Sequence, residues 1–193
     1  MVTRFSDSFH TSVAKAHAVN EPQRLWWKQA AADWALFEHL RGPARWRHQC
    51  HPLQALQMSS EKIAKASFRV GTSRPNKFSH LGLTKMLRRL SSVRAPDQQE
   101  LAEVFSVSCF QHLERLLKSV RGIAKEIERL PPAIAGPDQI NTEYPWPDSN
   151  PVNAPADWEY DVWQRLATAK GREFLRFLAR AIERYPQYAH VFR

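Results

Sequence analysis

Only 6 glycines stand in 193 residues. None falls in a G-x-G-x-x-G or G-x-x-x-x-G-K-[ST] run, which excludes the glycine-rich loops that cradle phosphates in dinucleotide-binding and P-loop proteins. Cysteine is as scarce. Cys50 and Cys109 cannot build a disulfide framework, and in an intracellular chain such a pair reads as two free thiols. No uncharged apolar run approaches the ~18 residues of a membrane span, so no membrane association is expected. The opening MVTRFSDSFHTSVAKAH is polar and broken by charge, unlike the apolar stretch of a secretory signal, and the cytoplasm is the expected compartment. There is no H-E-x-x-H and no G-x-S-x-G, and the carboxylates form no obvious catalytic pair. His48, Cys50 and His51, with Cys109 and His112, are metal-ligand types, but neither spacing is that of a zinc finger. No metal and no cofactor is expected.

Hydrophobic residues make up 43% and charged residues 24%, close to the globular norm. A chain of this length buries roughly 70% of its unfolded surface on folding, enough for a core without metals or disulfides. Charge is the first asymmetry. Residues 1–96 hold 16 Lys and Arg against 5 Asp and Glu, and residues 97–193 hold 12 against 14. Six of the eight histidines also lie in the first half. A concentrated positive field of this kind attracts phosphate backbones, acidic proteins or anionic surfaces; a solvated basic face that aids solubility is the plainer reading.

The 13 prolines and few β-branched alternations predict helices separated by proline breaks. Five are predicted. The first is capped by Asn20 with Pro22 in its first turn, and carries Trp26, Trp27, Ala30, Trp34, Phe37 and Leu40 until Gly42-Pro43. The second runs from about His51 toward Gly71, and a short third holds Leu81 to Leu90. The fourth and longest opens at Pro96 and extends to Pro131-Pro132. Seven of the 13 prolines fall in 131–155, a crossover that sustains neither helix nor central strand. The fifth helix starts near Asp157, with Gly171 as a bend point. The expected fold is all-α, an up-and-down helical bundle of four to five helices with a long Pro-rich crossover before the last. Its expected parts are a loose arm (1–20), the bundle (21–130), the crossover (131–156) and a C-terminal helix packed on the bundle (157–193).

The stretch Trp26–Leu90 resembles the HEPN (higher eukaryotes and prokaryotes nucleotide-binding) family of helical domains. The resemblance is carried by Trp27, Ala30 or Ala31, and Trp34 beside Asp33 in the first helix, by Leu56-Gln57-Met58-Ser59-Ser60-Glu61-Lys62-Ile63-Ala64-Lys65-Ala66 in the second, and by Ser79-His80-Leu81 at the next. It covers about a third of the chain. It implies a bundle that dimerises, association with RNA or nucleotides, and a toxin-like or defence role in which such proteins pair with a nucleotidyltransferase. Active members are metal-independent ribonucleases using an Arg, four to six residues, then a His. Histidine moves the proton of the attacking or leaving oxygen and arginine neutralises charge building on phosphate. That spacing occurs at Arg74…His80 and at Arg184…His190, neither in the family's usual place, which instead holds His112 followed by Arg115 and Arg121. Arg74 and His80 are the expected catalytic pair, since both lie in the basic half.

Lys62, Lys65 and Arg69, three and four apart on the second helix, are the expected phosphate stripe, extended by Lys77, Arg88 and Arg89. A helix-stabilising Glu61–Lys65 pair is the competing reading of the same residues. The expected partners are RNA or another polyanion, a nucleotidyltransferase and a second copy of the chain. The alternative is a non-catalytic helical adaptor that binds a protein partner. Trp26 and Trp27, adjacent in sequence, do not both fit one narrow buried stripe, which leaves one to face a partner subunit.

Overall fold

The computed structural model describes residues 19–42, 48–68, 82–135, 140–145 and 153–192. Among them every regular element is helical: α1 (Glu21–Leu40), α2 (Cys50–Phe68), α3 (Gly82–Leu90), α4 (Ala95–Val104), α5 (Phe110–Glu128), the single turn α6 (Pro132–Ala135), α7 (Asp161–Leu166), α8 (Ala169–Glu183) and α9 (Tyr185–Tyr188). The protein is an all-α helical bundle. Helices α2 and α5 are its axis: α2 lies along α1 and touches α3, α5 and α8, and α5 in turn touches α3, α4, α7 and α8. No described helix is long and apolar enough to cross a membrane.

The first helix begins where the sequence predicts. The Asn20 side chain accepts from the Gln23 N–H at 2.9 Å, and the Gln23 side chain accepts from the Asn20 N–H at 3.3 Å, a reciprocal capping box. Asn20→Ala is expected to cost about 1 kcal/mol, read from urea denaturation midpoints. Trp26 and Trp27 are both half-buried against the core rather than split between core and surface. Their contacts diverge by the roughly 100° that separates consecutive residues on a helix. Trp27 Nε1 donates to the Ile182 carbonyl at 2.6 Å, while the Trp26 ring lies under the Lys65 ammonium, 4.8 Å from its centroid.

The predicted long fourth helix is two helices. Its apolar stripe continues through Leu101, Val104, Phe105 and Phe110, so periodicity alone shows no interruption. The chain nevertheless turns at Ser106, whose φ of 53° is left-handed. Two arginines from the end of the chain hold this corner: Arg180 donates to the Phe105 carbonyl at 2.6 Å, and Arg184 to the Val104 carbonyl at 2.7 Å and Ser106 Oγ at 3.0 Å. They satisfy carbonyls that the end of α4 leaves without helical partners. The predicted fifth helix is also divided. Pro155–Asp157 forms a 3-10 turn, α7 starts at Asp161, and the break before α8 lies at Ala167-Thr168 rather than at Gly171. Thr168 caps α8, its Oγ1 accepting from the Gly171 N–H at 3.2 Å.

The described part of the Pro-rich crossover is clipped to the bundle. The Thr142 N–H donates to the Leu130 carbonyl at 3.3 Å, and the buried Tyr160 hydroxyl donates to the Asn141 carbonyl at 2.7 Å. The arm before Val19 lies outside the described residues.

Candidate nucleic-acid interface

Of the residues that the sequence nominates, Arg74 and His80, together with Arg69 and Lys77, lie outside the described residues. The second Arg/His spacing is visible and is structural. Arg184 holds the α4 carbonyls, and His190 Nε2 lies 3.7 Å from a Glu100 carboxylate oxygen.

Lys62 and Lys65 are each already matched by a carboxylate. Lys62 Nζ contacts Asp33 of α1 at 2.6 Å, with only 13% and 15% of the two side chains exposed, so this pair ties α2 to α1. Lys65 pairs with the buried Glu61, which also accepts from Gln57 Nε2 at 2.9 Å. The first of these pairs bridges the α1–α2 seam, and the second lies within α2, with Lys65 reaching α1 through the Trp26 ring. Burying either lysine unpaired would cost several kcal/mol.

The cations left facing solvent gather elsewhere, where α3 lies on α5. Lys85 and Arg88 of α3 are exposed. On α5, Lys118, Arg121 and Lys125 stand three and four residues apart, which places them on one helical face. Lys118 and Lys125 are exposed, and Arg121 is half-buried beside the end of α3, donating to Ser91 Oγ at 3.1 Å. Lys118 contacts Glu114 at 2.7 Å. Among the described residues Lys85, Arg88, Arg121 and Lys125 form no ion pair. Arg89 is exposed but partly committed, its Nε donating to the Val191 carbonyl at 3.2 Å.

A buried carboxylate sets the angle at which α3 presents its basic residues. Glu128, at the end of α5 and 3% exposed, accepts from the Thr84 N–H at 2.9 Å and from the Thr84 hydroxyl. It does for the first turn of α3 what an N-cap side chain does, from another helix. Burial raises its pKa above the ordinary carboxylate value, against the opposing pull of the Thr84 and Leu83 N–H groups and of Lys85 and Arg88. At the same end of α3, Gly82 fits where a Cβ would stand 2.9 Å from the Ala64 Cβ, so α3 begins in contact with α2.

Arg88 and Arg89 are legible in the sequence as a basic run, whereas the α5 cations stand in the half of the chain whose net charge is negative. The Lys118/Arg121/Lys125 spacing was the available signal. What a face of this kind does chemically is neutralise a run of phosphates, each contact releasing counterions.

Among the described residues no three His, Cys, Asp or Glu side chains converge as a metal site would require. The two cysteines are free thiols. Cys50 is buried and its thiol pKa is pushed up by that burial, whereas Cys109 precedes α5 and has its pKa lowered chiefly by the His112 N–H. His48 Nδ1 makes a 2.6 Å hydrogen bond with the Ala156 carbonyl. No family model, curated protein or solved structure matches this chain.

Proposed function

We propose that this helical bundle is a nucleic-acid-associated protein that binds RNA or a similar polyanion. The supporting observation is the α3–α5 face, where Lys85, Arg88, Arg121 and Lys125 present cations without an ion-pair partner among the described residues. They sit on a frame held by the buried Glu128–Thr84 contact. Arginines and lysines arranged in this way supply affinity through phosphates and no base specificity. The logarithm of the affinity for a generic RNA is therefore expected to fall linearly with log salt, with a slope of about 0.7 per single-strand phosphate neutralised. Lys85→Glu/Arg88→Glu is expected to weaken binding at low salt and to flatten that slope by about 1.4. An unchanged slope would remove the face from the interface. Ribonuclease chemistry by Arg74 and His80 is the finer reading, tested by cleavage in EDTA that His80→Ala abolishes.

A second reading, the protein adaptor, is favoured by one surface. Leu25 and Leu36 on α1 are 55% and 49% exposed, and beside Leu36 lies a groove of about 330 Å³ lined by Leu40, Ala55 and Met58. Such apolar exposure suits a protein partner. Salt-independent capture of a protein, lost in Leu25→Glu/Leu36→Glu, would favour it over the polyanion.

A further inference from the structure

Helix α8 carries Arg172, Arg176 and Arg180 at intervals of four, on one side of the helix and about 6 Å apart along its axis. Three clefts adjoin along this ladder. The largest, about 460 Å³, is walled by Trp34, Glu38 and Arg41 from the end of α1 and by Arg172 and Arg176. It shares Arg41 with a second cleft of about 210 Å³ that contains Trp163 and Leu166 of α7. On its other side it shares Arg176 with a third, about 140 Å³, that holds His112 of α5, Glu173 and Arg180.

We infer that this composite groove is a binding site for a single-stranded segment of nucleic acid, with phosphates on Arg172 and Arg176 of α8 and bases against Trp34 and Trp163. The inference deepens the polyanion reading and rests on it, while moving the contact to a different face from α3–α5.

Three features argue for a strand with unstacked bases. First, four guanidiniums meet two carboxylates in these clefts; Arg41 holds Glu38 at 2.7 Å and Arg180 is committed to the Phe105 carbonyl at 2.6 Å, which leaves Arg172 and Arg176 for a ligand. Arg172 and Arg176 are exposed and form no ion pair among the described residues; Arg172 also donates to the Ala167 carbonyl at 2.5 Å through one nitrogen, leaving the rest of its guanidinium accessible. Second, Arg172 and Arg176 are separated by a step comparable to that between successive phosphates, so one strand can contact both. Third, aromatic rings lie beside the cations in two of the three clefts: Trp34 and Trp163 are both half-buried, anchored on the core with part of each residue left accessible. Trp34 is braced by Phe37 at 5.2 Å between ring centroids. A cationic groove with aromatic platforms is the physical requirement for single-strand binding, because every base offers a π-face. A duplex keeps its bases stacked internally and cannot use the indoles. A purely acidic peptide such as polyglutamate could satisfy the arginines but offers no ring to stack on the tryptophans.

The test is fluorescence anisotropy of a short fluorescein-labelled oligouridylate, with a duplex of equal length and polyglutamate as competitors. Arg172→Glu/Arg176→Glu is expected to weaken oligouridylate binding at least tenfold. Trp34→Ala should weaken the single strand about tenfold while leaving duplex competition unchanged. Circular dichroism of each variant checks the fold, and Trp34→Phe, which keeps an aromatic platform, is expected to recover most of the loss. If Lys85→Glu/Arg88→Glu abolishes binding and the α8 variants do not, the groove assignment is overturned and the polyanion reading stands. If polyglutamate competes as well as the single strand, the groove assignment is overturned as well. If the wild-type protein binds no nucleic acid at low salt, both readings fall.

Discussion

Gly171→Ala is expected to lower unfolding stability by about 3 kcal/mol, and the thermal midpoint by about 6–12 °C for a chain of this size. Gly171 is buried in the first turn of α8, where that helix doubles back against the end of α7. A Cβ there would sit 2.2 Å from the Arg165 carbonyl oxygen and 2.4 Å from the Leu166 Cα. Both are backbone atoms of a short, packed helix, so no side-chain rotation relieves the clash. The α7–α8 junction must open instead, and Leu166, Phe174 and Leu175 lose their packing with it. Gly122→Ala serves as the contrast, since Gly122 is exposed in mid-α5 and its Cβ would meet only an Arg165 guanidinium nitrogen at 3.5 Å. That substitution is expected to stabilise by up to about 1 kcal/mol. Thermal melts followed by circular dichroism give both signs. Equal effects at the two sites would show that helix propensity, rather than the close approach, decides them.

Glu128→Ala is the second large effect, expected at about 3 kcal/mol, because it removes the acceptor for the buried Thr84 N–H and hydroxyl and leaves them unsatisfied. Glu128→Gln keeps an acceptor of the same shape and is expected to cost about 1 kcal/mol. The two variants also separate by pH. Burial raises the Glu128 pKa in the folded protein, so the native state binds this proton more readily than the unfolded chain does. Its contribution to stability therefore falls as pH rises through the folded-state value, and improves as pH is lowered from neutrality toward 4.5. Wild type is expected to gain stability relative to Glu128→Gln over that acidic window, measured by urea denaturation across pH. A difference that is flat with pH would mean that Glu128 is as readily ionised in the fold as in water. Because Glu128 positions α3, Glu128→Ala should also weaken nucleic-acid binding through the misplaced Lys85 and Arg88.

Several elements were legible from local chemistry. The Asn20 cap, the Pro22 entry and the Trp27–Ala30–Trp34–Phe37 periodicity place α1 almost to the residue, because capping and amphipathic spacing act within one or two turns. The Glu61–Lys65 pair on α2 was readable for the same reason. The corner at Ser106 was not, since its apolar spacing is that of an unbroken helix. The break is stabilised by Arg180 and Arg184, about 75 to 80 residues further along. Lys62 illustrates the same limit at the candidate site. Its spacing from Lys65 looks like a phosphate stripe, yet its ammonium is consumed by Asp33 on a neighbouring helix.

Composition and local spacing are enough to make this chain helical, to delimit most of its helices with prolines and capping residues, and to give it an excess of positive charge. Those properties follow from backbone sterics, short-range hydrogen bonding and composition, none of which needs a partner distant along the chain. Tertiary structure alone decided which cations are free to meet a ligand. A lysine on a helix is bound or available according to what the adjacent helix presents to it. The α3–α5 face and the α8 groove both join residues whose proximity arises only from packing, from Lys85 to Lys125 in the first and from Trp34 to Arg180 in the second.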